Sequence, residues 1–309
     1  MNSQRMTAPP SRFRLAFLGP VAVAVVLIAA AFVVASILTG GSGKSDPLKG
    51  QISKAEDQVR TDPNSAPLRV AVADLYMQAN RIDDALAQYH QALGIDASSE
   101  AALYGLGLAY QQKGDLNNAG AAFTSIIQTF KVNADNTAPD PRLQGAHFYL
   151  GEVLRDQKRY DDAINEFRKA LALNQSDADT LFELGKTFAL NGDNADAAQA
   201  LDVALAFVPD FRDAYVEVQK LATTMGNQAK ADYAGAMLKV LDGDAKDAVP
   251  ILQQAAQKSG DAHAYWALGY ADEKVNDKTG AQAAYQKAVD INPGEQMAAE
   301  SLRRLQAGG

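Results

Sequence analysis

The 309-residue chain contains no cysteine. That excludes disulfides, thiolate catalysis and cysteine-ligated zinc, and it leaves the redox compartment open. Histidine is nearly as scarce. His90, His147 and His263 are far apart, and none has a second histidine or metal-ligand spacing beside it. Basic residues are outnumbered, 29 Lys and Arg against 37 Asp and Glu. Arg5, Arg12 and Arg14 all stand at the N-terminal end with no acid among them, so the remainder is more acidic still. Nucleic-acid binding needs a concentrated basic face, and this balance argues against it. No glycine-rich phosphate loop follows a strand pattern; the G-x-G of "YGLGLAY" lies inside a helical one. The acid pairs Asp83, Asp84 and Asp161, Asp162 open helical patterns, where they complement the helix dipole. The chain is therefore read as a non-enzyme, with no catalytic, cofactor-binding or metal-binding residues.

What is present begins with one long apolar run, "LAFLGPVAVAVVLIAAAFVVASIL", which carries no charge from Leu15 to Leu38. As a helix it would be about 36 Å long, enough to cross a hydrocarbon core of about 30 Å. It exceeds the roughly 7–15 residues of a secretory signal core, although "VVA" before Ser36 is a passable cleavage site, and an uncleaved anchor is favoured. The arginines precede the run without an acid, whereas Lys44 and Lys49 follow it mixed with Asp46. By the positive-inside rule the N-terminus lies inside and the body outside. The expected layout is a basic cytoplasmic tail (1–14), a transmembrane helix (15–38), a flexible Gly/Ser-containing linker (39–50) and a folded body (51–309). The expected localisation is the cytoplasmic membrane, spanned once, with the body extracytoplasmic.

The body repeats itself. "RYDDAINEFRKALAL" from Arg159 has relatives in "RIDDALAQYHQALGI" from Arg81 and "KTGAQAAYQKAVDI" from Lys278. Gly107 is followed by Ala119, Phe123 and Ile126; Gly151 by Ala163, Phe167 and Ala170; Gly185 by Ala197, Leu201 and Ala204; Gly269 by Ala281, Tyr285 and Ala288. The first copy has Ala73 for glycine, then Ala85, Tyr89 and Ala92. The interval from Ala85 to Ala119 equals that from Ala163 to Ala197. This pattern resembles the tetratricopeptide repeat, a helix–turn–helix unit with that same period of about 34 residues. The resemblance covers roughly residues 51–295. It implies an all-α fold, a right-handed superhelical solenoid of about six repeats. The small residue marks where two antiparallel helices touch, the alanine twelve residues later meets it, and the aromatic fills the gap toward the next unit. Pro209 and Pro293 end second helices.

Three departures stand out. Ala119 to Ala163 is longer than one period, and the excess lies in an insertion, "KVNADNTAPDP", at 131–141. The region 212–259 is degenerate: Ala231 and Ala248 are only half a period apart, and the helix around Ala229–Leu241 is read as shared between neighbours. "GEQMAAESLRRLQAGG" supplies a C-terminal capping helix, as an open solenoid end requires.

In the family, the first-helix positions three before and one after the early glycine face the concave groove. The matching residues are Tyr104 and Leu108, Phe148 and Glu152, Phe182 and Lys186, and Trp266 and Tyr270. Val70 and Asp74 match in the first copy, and Val216 and Lys220 in the degenerate unit. Rings there either grip a partner peptide or fill the space between repeats, and the sequence leaves both open. The ordered Lys and Asn set with which some members clamp a C-terminal carboxylate is absent. The resemblance implies a scaffold or adaptor that binds other proteins or peptides through the groove, here expected at a membrane. A narrower resemblance is to the membrane-anchored repeat subunits of bacterial cytochrome c maturation. A reading of another class is an accessory enzyme subunit with a cryptic site at Lys131–Pro141 or in the degenerate region.

Overall fold

A computed structural model describes residues 47–132 and 140–307. Among the described residues every regular element is a helix, and they fall into two compact units divided between Asn191 and Gly192. The first unit holds α1 (Pro47–Thr61), α2 (Ala66–Gln78), α3 (Ile82–Ile95), α4 (Glu100–Lys113), α5 (Leu116–Val132), α6 (Pro141–Asp156), α7 (Tyr160–Leu173) and α8 (Ala178–Asn191). The second holds α9 (Asn194–Phe207), α10 (Arg212–Thr224), α11 (Gln228–Asp242), α12 (Ala245–Ser259), α13 (Ala262–Lys274), α14 (Lys278–Ile291) and α15 (Gln296–Ala307).

The expectation of a membrane-spanning helix, and with it a single-pass membrane localisation, is corrected. Among the described residues no helix is long and apolar enough to cross a membrane. The longest, α5, has 17 residues and so spans about 26 Å, short of a core of about 30 Å. The tail 1–14, the apolar run 15–38 and most of the linker lie outside the described residues, as do 133–139 of the insertion. The first described helix starts at Pro47, inside the stretch read as linker.

Within each unit the helices pack chiefly on their neighbours in sequence, so each core is a row of hairpin contacts. In the first unit α2 pairs with α3, α4 with α5 and α6 with α7, and α1 covers α2. The first helices of successive hairpins also meet, α2 with α4 and α6 with α8. The turns are local chemistry. Gly114 closes α4 in the left-handed conformation (φ 81°), and its N–H and that of Asp115 bond back to the carbonyls of Gln111 and Tyr110. Lys158 holds the same left-handed position after α6 at φ 63°, a conformation costly for a residue with a side chain. Ser99, Asp140 and Asp261 cap the following helices through side-chain oxygens.

The contact inside three of the hairpins differs from the expected one. A methyl group on Gly107 would come within 2.6 Å of the Phe123 ring; on Gly151, within 2.8 Å of Phe167; on Gly269, within 2.7 Å of Tyr285. The aromatic sixteen residues on, and not chiefly the alanine, lies against the glycine. Phe123 also reaches forward, stacked on Tyr149 of the next hairpin at 5.3 Å. The alanines Ala85, Ala119, Ala163 and Ala281 are fully buried and let the second helix approach. Between hairpins, Gly105 on α4 abuts the Tyr89 ring of α3. That ring is 1% exposed, and its hydroxyl donates to Asp74 at 2.5 Å, so it has nowhere to move.

In the second unit the hairpin order shifts at α11. This helix packs on α10 before it and α12 after it, and also touches α13 in the manner of a first helix. It thus serves as second helix to α10 and first helix to α12.

Gly105→Ala is expected to destabilise by about 1–3 kcal/mol through overpacking. Gly94→Ala, where nothing lies within 4 Å, is expected to stabilise by about 0.5 kcal/mol. Urea unfolding of the two variants checks the pair, and equal stability would contradict this packing scheme.

Candidate partner-binding surface

The first helices carry the residues picked out by the repeat register, and packing divides them into two kinds. In the first unit Tyr104 and Phe182 are each 7% exposed, so their rings are largely core. The Tyr104 hydroxyl donates to the Arg142 carbonyl on α6, and its ring meets Phe123 and Tyr149 edge-on at 6.0 and 6.2 Å. Burial pushes its pKa well up, so it stays a neutral donor. Phe148 is half-buried, edge-on to Tyr149 at 5.3 Å and to Phe167 at 5.9 Å. The residues one position after the glycine are more open: Leu108, Glu152 and Lys186 are half-buried. Val70 and Asp74 on α2 are also half-buried. Burial raises the Asp74 pKa, and the bond from Tyr89 offsets part of the rise.

A charged group that the register did not single out joins two of these helices. Arg155 of α6 pairs with Glu183 of α8 and lies 3.1 Å from Asp156 and 3.8 Å from Glu152. Lys186 reaches Glu183 at 3.0 Å and sits 4.9 Å from the centre of the Phe182 ring. Glu183 is only 3% exposed. Buried charge persists only where it is paired, so this network holds α6 and α8 at one spacing. The signal in the sequence is Arg155, three residues after Glu152 and so on the same helix face.

In the second unit Lys220 and Val216 are exposed on α10. They border a cleft of about 450 Å³ with Gln219, Thr223, Gln228 and Asp232. On α13, His263, Trp266 and Tyr270 form a ladder of rings, with centroids 5.2 and 5.5 Å apart and planes within 22° and 15°. Trp266 is 4% exposed and Tyr270 half-buried. Burial lowers the His263 pKa against the pull of Glu295 and Asp261, so the ring is neutral at pH 7. Further along α13, Asp272 faces Asp277 across the turn. Burial first and Asp277 second push its pKa to about 6. Among the described residues no group of three or more His, Asp or Glu is placed to hold a metal ion.

Stacked helical hairpins with small–aromatic contacts define an α-helical repeat protein. Family models narrow the class. One described as "TPR repeat" matches residues 73–114 and 151–192, and two described as "Tetratricopeptide repeat" match 101–131 and 262–295. The chain carries tetratricopeptide repeats over these residues, and repeats of this family serve protein–protein interaction. It is 28% identical over 130 residues to the cytochrome c-type biogenesis protein CycH of Rhizobium meliloti (strain 1021), covering 42% of this chain and 32% of that protein. It is 30% identical over 111 residues to tetratricopeptide repeat protein 14 of Mus musculus, covering 34% of this chain and 13% of that protein. The chain thus spans about a third or less of these relatives. Among solved structures, PilW, a type IV pilus biogenesis factor, aligns over 71% of this chain and 93% of its own with a TM-score of 0.56. At 20% identity that likeness is one of fold.

The raised Asp272 pKa sets a pH dependence. The folded state holds this proton up to about pH 6, against 3.8 when the group is free. Its contribution to stability is therefore full below pH 3.8 and lost as pH rises through about 6. Asp272→Asn is expected to raise stability at pH 7.5 by about 1 kcal/mol, with the gain vanishing near pH 4. Thermal unfolding at the two pH values checks this, and an equal gain at both contradicts it.

Proposed function

We propose that the chain is a non-catalytic scaffold that binds partner polypeptides along the exposed face of its first helices. The observation that carries the reading is the division within that face. Tyr104 and Phe182 are spent on packing, whereas Leu108, Glu152 and Lys186 stay accessible on successive first helices of one unit. A rigid row of mixed apolar and charged side chains suits an extended or helical peptide, because the platform loses little entropy on binding. The Arg155–Glu183 network supports the platform by fixing the spacing of two of its helices.

Photo-crosslinking residues placed singly at Leu108, Glu152 and Lys186 in the full chain test this. Their adducts in cells should exceed those from the exposed second-helix positions Ala121 and Ala172 several-fold. Equal yields on the two faces would sink the groove reading.

A second reading is favoured by one observation, the similarity to CycH over 130 residues. In that case the partner is a polypeptide handled in cytochrome c biogenesis, and the recognised segment carries a Cys-x-x-Cys-His attachment motif. Calorimetry with a peptide ending in that motif, against one with both cysteines changed to serine, decides it. Saturable binding that discriminates between the two supports the reading, and absent or equal binding removes it.

A further inference from the structure

The α10–α11 hairpin reverses the contact found in three others. Where Gly107, Gly151 and Gly269 receive an aromatic ring from sixteen residues on, the corresponding pair is Gln219 and Gly235. The larger side chain now stands on the first helix. The Gln219 Nε2 lies 2.6 Å from where a methyl group on Gly235 would be. A carboxamide thus crosses the seam in place of a ring, and among the described residues no group hydrogen-bonds it. Gln219 also lines the cleft of about 450 Å³ between these two helices. That volume falls in the range of about 300–1,000 Å³ typical of ligand pockets.

The rest of the lining offers hydrogen-bonding capacity with its charges already paired. Thr223 and Thr224 donate their hydroxyl hydrogens to the carbonyls of Gln219 and Lys220, at 2.8 and 2.9 Å, which leaves each hydroxyl oxygen as an acceptor. Lys220 lies 3.6 Å from Glu217, and Asp232 accepts from Gln228 at 2.7 Å, so the cation and the carboxylate of the lining each have a partner. Val216, 38% exposed, adds an apolar edge. What remains to be satisfied is the carboxamide, which carries a donor and an acceptor side by side. A residue in extended backbone presents its own N–H and C=O on one side, as in a strand ladder, and matches that pair.

We propose that this cleft receives an extended segment of a partner polypeptide by its main chain, with Gln219 exchanging two hydrogen bonds with the N–H and C=O of one residue. A side chain of the same segment rests on Val216. Because the contact is to backbone, the cleft selects extended conformation over sequence. This inference rests on the scaffold reading and adds the means by which one part of the surface holds a chain.

The full chain, labelled with carbon-13 at its valine methyl groups, is titrated with peptides, and the Val216 signals, identified by their loss in Val216→Ile, report occupancy. Two acetylated, amidated hexapeptides alternate valine with threonine or with tyrosine, residues that favour extended backbone. A third is the valine–threonine peptide N-methylated at every amide. The two unmodified peptides should shift the Val216 signals saturably, with affinities within about threefold of each other, because main-chain bonds supply the affinity. The methylated peptide should bind about tenfold more weakly, or not at all. Gln219→Met should weaken the valine–threonine peptide about tenfold, with circular dichroism unchanged. Gln219→Glu keeps the size and gives up the donor; it should also weaken binding, and it serves if the methionine variant misfolds. Equal binding of the methylated peptide, or unaltered binding in both variants, would overturn main-chain recognition and leave the scaffold reading standing. No shift with any peptide, while crosslinks persist at Leu108, Glu152 and Lys186, would overturn this cleft alone. A shift with maltotetraose and none with peptides would assign the cleft to a glycan, and a shift on concentrating the chain without peptide would assign it to a second copy; either overturns the proposal.

Discussion

The described structure depends on one contact made repeatedly: an aromatic ring on the second helix of a hairpin lying against a glycine on the first. Phe123 on Gly107, Phe167 on Gly151 and Tyr285 on Gly269 bring the two helices close enough for fully buried alanines to seal the rest. The arrangement is unforgiving because close-packed interiors resist added volume as firmly as they resist cavities. It also bears on how neighbouring hairpins in the first unit pack. Phe123 also projects onto Tyr149 of the following hairpin, so that hairpin finishes burying its apolar surface only when the next is in place.

That sharing of rings determines which first-helix side chains stay accessible. A first-helix aromatic stands between the core and the open face, and in this chain packing takes most of Tyr104, Phe182 and Trp266. The side chains that remain accessible are shorter or charged. They include Leu108 on α4, and Glu152 and Lys186 on α6 and α8, two helices joined by a buried ion-pair network. Such a network adds little net stability compared with an apolar pair, but it specifies one geometry. The ring ladder of His263, Trp266 and Tyr270 in the second unit is arranged differently, with aromatic area bordering a cleft.

The helix α11 shows how a repeat array tolerates an odd number of elements. Because small residues line more than one of its faces, including Ala231, Ala234 and Ala236, it packs as second helix to α10 and as first helix to α12. A helix with alanine on several sides can accept neighbours on several sides, whereas one with a single apolar stripe cannot.

The fold class was legible in the amino-acid order because a helical hairpin is a local object. Its small residues and its turn chemistry all lie within one repeat period, and the spacing of Gly107, Ala119 and Phe123 states them directly. The identity of the contact was not legible. The spacing pointed to the alanine as the glycine's neighbour, and only the crossing of the helices shows that the ring lies there. Nor could spacing rank the first-helix positions by exposure, since Tyr104 and Phe148 hold the same register yet one is core and the other half-buried. Arg155 meets Glu183 from the next hairpin, and Trp266 shares a cleft with Arg304, which lies farther still along the chain. Local pattern determines which helices form and how they pair. Exposure, ion pairing and cleft lining depend on which helices come to lie side by side, and the tertiary structure alone decides that.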